Sequence, residues 1–559
     1  MGDSRLSDAQ AFALRQGYTN KLGNQSTTGQ LVVARMKELA DSRTPWHRGL
    51  WQPGTIVLLD EVVEAVHATW NGSLTSDEAM KDVIRGALEQ VKRDPGVGDQ
   101  SVREELDSLL RVLLPVGNTR SKATAELQQS LERAAAFTER CRTGYFLRWI
   151  EYVRNGGVTV EEVELTARLL VAHLFDEGFH RNHIHGWLTA TSARTELSDL
   201  LNKAREMLLK PPHEYEFVVG LMRAPAEVRE SFGDSWLDSD AYVELFRATG
   251  NPRHRPVPRE GAGAVRWKTE ARDPHAALYE LLEWQQKLLA RVQLGFGQTD
   301  KVEFEPDAID ISTNKIRTPL EDLRSIRLPS IQRNHLFVGG NKSEQQLDGA
   351  IALLASQSGE VRGASIASVW AAAEGILGRP GGKGTDVADR LADIVTCSFP
   401  RAEIGELARS WLEESTDELA DALREQASAD QARIMSTYVM EKGDPGFRLS
   451  SDKAAVVRYI QLASDPEAVL KRVRGYYSSV FRRLYYQRNF VMHAAKFDSV
   501  TLGVSVRTAP ALVAAALDRV VNAQHGKAPV SPLALAARAE NELGMVGKTG
   551  AHPIYLLLD

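Results

Sequence analysis

Gln487-Arg488-Asn489-Phe490-Val491-Met492-His493 lies near the end of a run, from about Pro466 to Lys496, that reads as one long helix. Between Lys471 and Phe497 the run carries seven bases (Lys471, Arg472, Arg474, Arg482, Arg483, Arg488, Lys496) and no carboxylate, although the whole chain has a formal charge of -6. Tyr476, Tyr477, Phe481, Tyr485, Tyr486 and Phe490 interleave with the bases. Cations hold phosphates and aromatic faces stack bases. The local reversal of sign therefore points to a nucleic-acid surface, with Arg474, Arg482, Arg483 and Lys496 as phosphate contacts.

The helix has helical company. Patterns at about 343–357, 364–377, 386–397, 401–412, 416–441, 452–463 and 508–524 are joined by short connections rich in Gly, Pro, Asp and Ser. Short connections make neighbouring helices antiparallel, so residues 342–525 form a helical bundle. A tail, 526–559, follows it. Upstream, residues 212–341 read as a small α+β domain. Extended stretches at Tyr215–Leu221, Val265–Thr269 and Val302–Ile311 accompany a helix from Pro274 to Leu294. Residues 51–211 read as a second helical domain, opened by Ile56, Leu59, Val62, Val63, Val66 and Trp70 on one face. Residues 1–50 are polar and punctuated by Gly and Asn, which suggests a mobile start. The fold class is mainly α: a helical domain, a small α+β domain and a helical bundle.

Composition narrows the function classes. With 43% hydrophobic and 25% charged residues the chain is globular rather than disordered. No apolar run reaches the ~18 residues that span a bilayer, and the polar start has no signal-peptide core, so a cytoplasmic protein without a membrane partner is expected. Cys141 and Cys397 are too few and too far apart for a disulfide framework or a zinc site. Two P-loop lookalikes fail. Before Gly547-Lys548-Thr549 the first glycine position is Glu542, and before Gly382-Lys383 it is Leu377. No Gly-x-Ser-x-Gly elbow is present.

Other clusters have plainer readings. Glu177, His180, His183 and His185 could ligate a metal, yet their spacing fits no zinc signature. A polar helix terminus explains them better, so no metal or cofactor is expected. The loop Arg253-His254-Arg255-Pro256-Val257-Pro258-Arg259 is basic and Pro-stiffened; a solvated connector is favoured over a phosphate contact.

Arg488, Asn489 and His493 are the remaining candidates. Asn489 and His493 are four apart and share a helix face. Arg488 lies about 140° round from His493, but its long side chain can reach back. The motif, with four residues between Arg and His, resembles the signature of the HEPN superfamily of helical-bundle ribonucleases. Val369-Trp370-Ala371-Ala372-Ala373-Glu374 is similar to the first-helix pattern of its Apea-like branch, and Leu484-Tyr485-Tyr486-Gln487-Arg488-Asn489 to the tyrosine-bearing approach to its Arg-Asn pair. The resemblance covers about Ser343 to Gln524. Ala494 stands after the His where relatives often have Gly, and long helices separate Glu374 from Arg488.

The resemblance implies metal-independent RNA cleavage by 2′-OH attack. Arg488, Asn489 and His493 would be catalytic, supported by Glu374 and Tyr485, in a cleft shared by two copies whose basic helices repel unless RNA neutralises them. It also implies a toxin-like or antiphage defence effector, with the upstream domains sensing a phage-derived or cellular trigger. The alternative is a non-catalytic dimerisation or RNA-binding bundle in a regulatory protein.

Overall fold

The computed structural model describes residues 27–72, 77–114, 125–191, 195–250, 262–297, 301–319, 326–338, 345–356, 362–526, 528–548 and 550–558. The basic loop around Arg255 lies outside them. The fold is mainly α with one small five-stranded antiparallel sheet.

Eight helices build the first core: α1 (Thr27–Ala40), α2 (Thr55–Trp70), α3 (Asp77–Arg93), α4 (Gln100–Val112), α5 (Ala125–Arg154), α6 (Val163–Asp176), α7 (Arg181–Ala190) and α8 (Leu197–Leu209). Residues 27–50 belong to this core rather than to a mobile start: Val32, Met36 and Leu39 of α1 are wholly buried against its apolar side chains. Helix α5 runs unbroken through Gly144. The Arg148 side chain lies against Gly144 and donates to the Gly96 and Cys141 carbonyls.

The sheet follows: β1 (His213–Arg223), α9 (Ala226–Phe232), β2 (Trp236–Asp238), α10 (Ser239–Ala248), β3 (Gly263–Ala271), α11 (Pro274–Phe296), β4 (Glu303–Asp310) and β5 (Lys315–Arg317). Strand order is β2-β3-β1-β4-β5. The two-residue alternation of β1 sends Phe217, Val219 and Leu221 into one cluster with α11 and Val218 into another with Tyr242 and Phe246 of α10. Both faces of the central strand are therefore covered.

The remaining helices are α12 (Pro329–Arg333), α13 (Gln345–Ser356), α14 (Arg362–Leu377), α15 (Gly384–Glu414), α16 (Glu418–Arg424), α17 (Ser428–Lys442), α18 (Ser450–Ser464), α19 (Pro466–Ala494), α20 (Leu502–Gln524) and α21 (Pro532–Met545). Helix α15 runs through Pro400, where two helices were expected. The missing N–H costs one ladder bond, but Phe399, Pro400 and Ile404 are all buried, so packing holds the axis through the defect. The expected tail is part of the bundle: Leu535, Ala539, Leu557 and Leu558 enter its core.

Helix α19 joins the two helical cores. Val473, Tyr477, Val480, Phe481 and Leu484 pack into the C-terminal core, while Tyr486 and Phe490 pack into the N-terminal one. Charged groups reinforce the seam. Arg48 reaches Asp452 at 2.8 Å and Glu403 at 3.2 Å, Arg458 reaches Glu403 at 3.1 Å, and Arg507 reaches Asp176 at 2.9 Å. No helix among the described residues is long and apolar enough to cross a membrane.

Candidate active site

The sequence around α19 sets its ends. Asp465 caps the start by accepting from the Ala468 amide, and Pro466 fills the first turn. At the other end Ala495 turns left-handed, with φ 48°, and Lys496 N–H returns to the Phe490 carbonyl at 3.1 Å. His493 therefore stands in the last helical turn, exposed to solvent.

Arg488, Asn489 and His493 come together there. Arg488 Nη1 donates to Asn489 Oδ1 at 3.0 Å and lies 3.1 Å from His493 Nε2. A guanidinium has no acceptor, so this contact requires the Nε2 lone pair and places the imidazole proton on Nδ1. The arrangement sets an anion-binding fork beside an available base.

The supporting residues sit one layer back. The Tyr485 ring lies 5.0 Å from that of Trp370 on α14. It also fills the space over Gly384, where a Cβ would fall inside the ring. Glu374 accepts from Trp370 Nε1 at 3.1 Å, whereas Arg488 bonds to Asn489 and His493. The structure thus gives Glu374 a contact to the tryptophan rather than to the motif arginine.

The four expected phosphate contacts are engaged inside the chain. Arg474 pairs with Asp393. Arg482 reaches Asp82 at 2.6 Å and Asp389 at 3.0 Å, Arg483 reaches Glu61 at 2.8 Å, and Lys496 pairs with Glu64. Helices α2, α3 and α15 supply carboxylates to these four bases, whereas Lys471 and Arg472 have no ion pair among the described residues. Arg482 and Arg483 are structural cations.

Beneath the motif is a polar network with no signal in the sequence. Gln487 Nε2 donates to Ser499 and Thr501, Ser499 donates to Glu64, and Thr501 donates to Glu61 Oε1. Tyr486 donates to Asp82 at 2.9 Å, and burial, then the Asp82 charge, pushes its phenol far up. The network pins the segment after His493 to α2.

The histidine cluster disperses. His180 Nδ1 caps the Asn182 amide at 3.2 Å, His183 stacks on Phe179, and His185 faces Asp41 at 3.8 Å. Among the described residues no group of three or more His, Cys, Asp or Glu is placed to hold a metal. Both cysteines are buried and unbridged. The chain matches no family model, no curated protein and no solved structure.

Proposed function

We propose that the chain is a metal-independent endoribonuclease of the HEPN type, working in the cytoplasm as a homodimer. In this reading it is a toxin-like or antiphage defence effector whose N-terminal helical and α+β regions answer a phage-derived or cellular trigger. The observation that carries the reading is the meeting of Arg488 Nη1 and His493 Nε2 at 3.1 Å on an exposed helix end.

The chemistry follows from that contact. A scissile phosphate would draw the Arg488 fork onto its oxygens, which frees Nε2. His493 then takes the proton of the ribose 2′-OH, whose oxygen attacks the adjacent phosphorus. The 5′-oxygen leaves with a proton from the same site or a second copy's His493. The products are a 2′,3′-cyclic phosphate and a 5′-OH end. Asn489 keeps Arg488 aimed at the phosphate.

A dimer would bring two motif helices together. Met492, Phe497 and Val500 flank the motif in sequence and are 57%, 59% and 44% exposed, an apolar surface that a second copy would cover. The same surface, with the internally paired bases, favours the second reading: a non-catalytic dimerisation module. The experiment incubates end-labelled RNA with the full chain in EDTA and looks for 2′,3′-cyclic phosphate ends. The first reading requires cleavage that is lost in Arg488→Ala and in His493→Ala; dimerisation without cleavage selects the second.

A further inference from the structure

A cleft runs along the N-terminal half of α19, far from the motif. Arg472 lies sixteen residues before Arg488 on the same helix, about 24 Å at 1.5 Å per residue. The cleft has a volume of about 510 Å³ between α3, α19 and the segment before α2. It shares Trp51, Arg93, Leu165, Arg472 and Tyr476 with an inner chamber of about 120 Å³. Small-ligand sites fall in the range of roughly 300–1,000 Å³.

Two glycines open this space. Gly86 of α3 and Gly475 of α19 both line it, and a Cβ on either would meet no atom within 4 Å. Glycine inside a helix is less stable than alanine there. Packing does not demand it at either position, so the bare backbone leaves room that none of the described residues fills.

The polar groups around the space are also incomplete. Lys471 and Arg472 are exposed and have no ion pair among the described residues, unlike the other bases of α19 outside the motif. His47 lines the inner chamber, is 4% exposed, and makes no hydrogen bond through either ring nitrogen among the described residues; the Glu403 carboxylate is 3.6 Å away. Burial, with Arg48 and Arg458 next, holds that imidazole well below its ordinary range. It is neutral, with one donor and one acceptor to offer. Such a pair left bare on a side chain that is itself buried is costly unless a ligand meets it. The Gln52 side-chain oxygen at the edge of the cleft is likewise buried without a partner. Tyr476, half-buried at the junction of cleft and chamber, supplies an aromatic face, and Arg93 reaches its hydroxyl at 3.4 Å.

We propose that this cleft binds a nucleoside phosphate, with the phosphates on Arg472 and Lys471, the base over Gly475 against Tyr476, and a polar edge of the base reaching His47. Free cations at the mouth suit the anion, an aromatic face over a bare backbone suits the planar ring, and a neutral imidazole inside reads a donor–acceptor edge. Of the lining carboxylates, Glu164 is held by Arg35, Glu403 by Arg48 and Arg458, and Glu89 lies 3.9 Å from Arg93, while the exposed Glu161 stands at the chamber's rim. The site concerns binding and stands whether or not the motif cleaves RNA.

The test titrates ATP, GTP, CTP and UTP separately into the full chain by calorimetry, with adenosine and inorganic tripolyphosphate as controls. At least one nucleotide should bind one per chain, and both controls at least about tenfold more weakly. Gly475→Leu fills the cleft without burying charge, and Lys471→Ala/Arg472→Ala removes exposed cations. Each should weaken binding at least about tenfold while the unliganded melting temperature is held or raised. Arg488→Ala should bind the nucleotide as the wild type does. The proposal is overturned by heat from none of the four nucleotides, by undiminished affinity in Gly475→Leu, by tripolyphosphate binding as tightly as the nucleotide, or by loss of binding in Arg488→Ala.

Discussion

Arg483 and Glu61 form a two-point ion pair, Nε to Oε1 at 2.8 Å and Nη2 to Oε2 at 2.9 Å, with both side chains almost wholly buried. It locks the motif-bearing helix onto α2 in the middle of the seam. Removing one partner leaves the other as an uncompensated buried charge. Arg483→Ala or Glu61→Ala should each destabilise the protein by about 3–5 kcal/mol, while the double variant loses less than the sum. Denaturant unfolding of the three variants checks this; strict additivity would show that the pair is not coupled.

The left-handed Ala495 at the end of α19 has φ 48°, a conformation that costs an L-residue roughly 1–2 kcal/mol. Ala495→Gly relieves most of it, offset by the greater entropy of glycine in the unfolded chain. We expect a net gain of about 0.5–1 kcal/mol, read as a higher denaturation midpoint. A loss would mean the methyl group packs favourably enough to outweigh the backbone strain.

Tyr485 depends on a glycine. A Cβ at position 384 would fall inside its ring, and the tyrosine is hemmed in by Trp370 and Tyr486. Gly384→Ala should therefore cost about 1–3 kcal/mol through overpacking. If the ribonuclease reading holds, it also lowers cleavage, because Tyr485 sits three residues before Arg488. A variant with unchanged melting temperature and unchanged cleavage would contradict both parts.

His173 gives the acid side of the stability profile. It is 3% exposed and stacked on Tyr145 at 4.1 Å, and burial, with the Arg142 cation second, pulls its imidazole down to about 3. The unfolded chain takes up this proton near pH 6.5 and the folded one does not. The group's contribution is therefore complete above about pH 6.5 and is lost as pH falls toward 3, on the order of 4–5 kcal/mol in all. His173→Phe keeps the ring stack and removes the proton, so its midpoint should fall less between those limits than the wild type's. Parallel pH profiles would refute the assignment.

The apolar surface beside the motif predicts an oligomer. Phe497→Glu and Met492→Glu place charge on side chains that are more than half exposed, so the subunit itself should keep its melting temperature. In the homodimer reading these variants sediment as monomers and lose RNA cleavage together. Unaltered sedimentation would remove this face from the interface.

What the sequence revealed about this protein was local. Helical periodicity, the Asp465-Pro466 start and the proximity of Arg488 to His493 all lie within a few turns of one another, and backbone geometry alone relates them. The counter-charges were not legible. Arg474 finds Asp393, Arg482 finds Asp82 and Asp389, and Arg483 finds Glu61, so a run that looks uniformly basic along the chain is largely paired in space. The same limit hid the continuity of α15 through Pro400, since the surroundings that bury Phe399, Pro400 and Ile404 come from residues as remote as Trp51, whose ring lies 5.9 Å from that of Phe399. It hid the cleft as well. Gly86 and Gly475 are unremarkable until their helices are set side by side.

The shared seam also fixes an order of events during synthesis. Glu61, Glu64 and Asp82 emerge roughly 400 residues before Arg483, Ser499 and Arg482 arrive to meet them. Domains ordinarily mature from the N-terminus onward as they leave the ribosome. Here the growing chain carries an acidic cradle that waits for roughly 400 further residues before its cationic helix is made. Until that helix docks, the N-terminal core lacks Tyr486 and Phe490 and the end bearing His493 has no floor. A product terminated before this helix therefore carries the cradle without the motif, and the motif's geometry is complete only once Ser499 and Thr501 have been made.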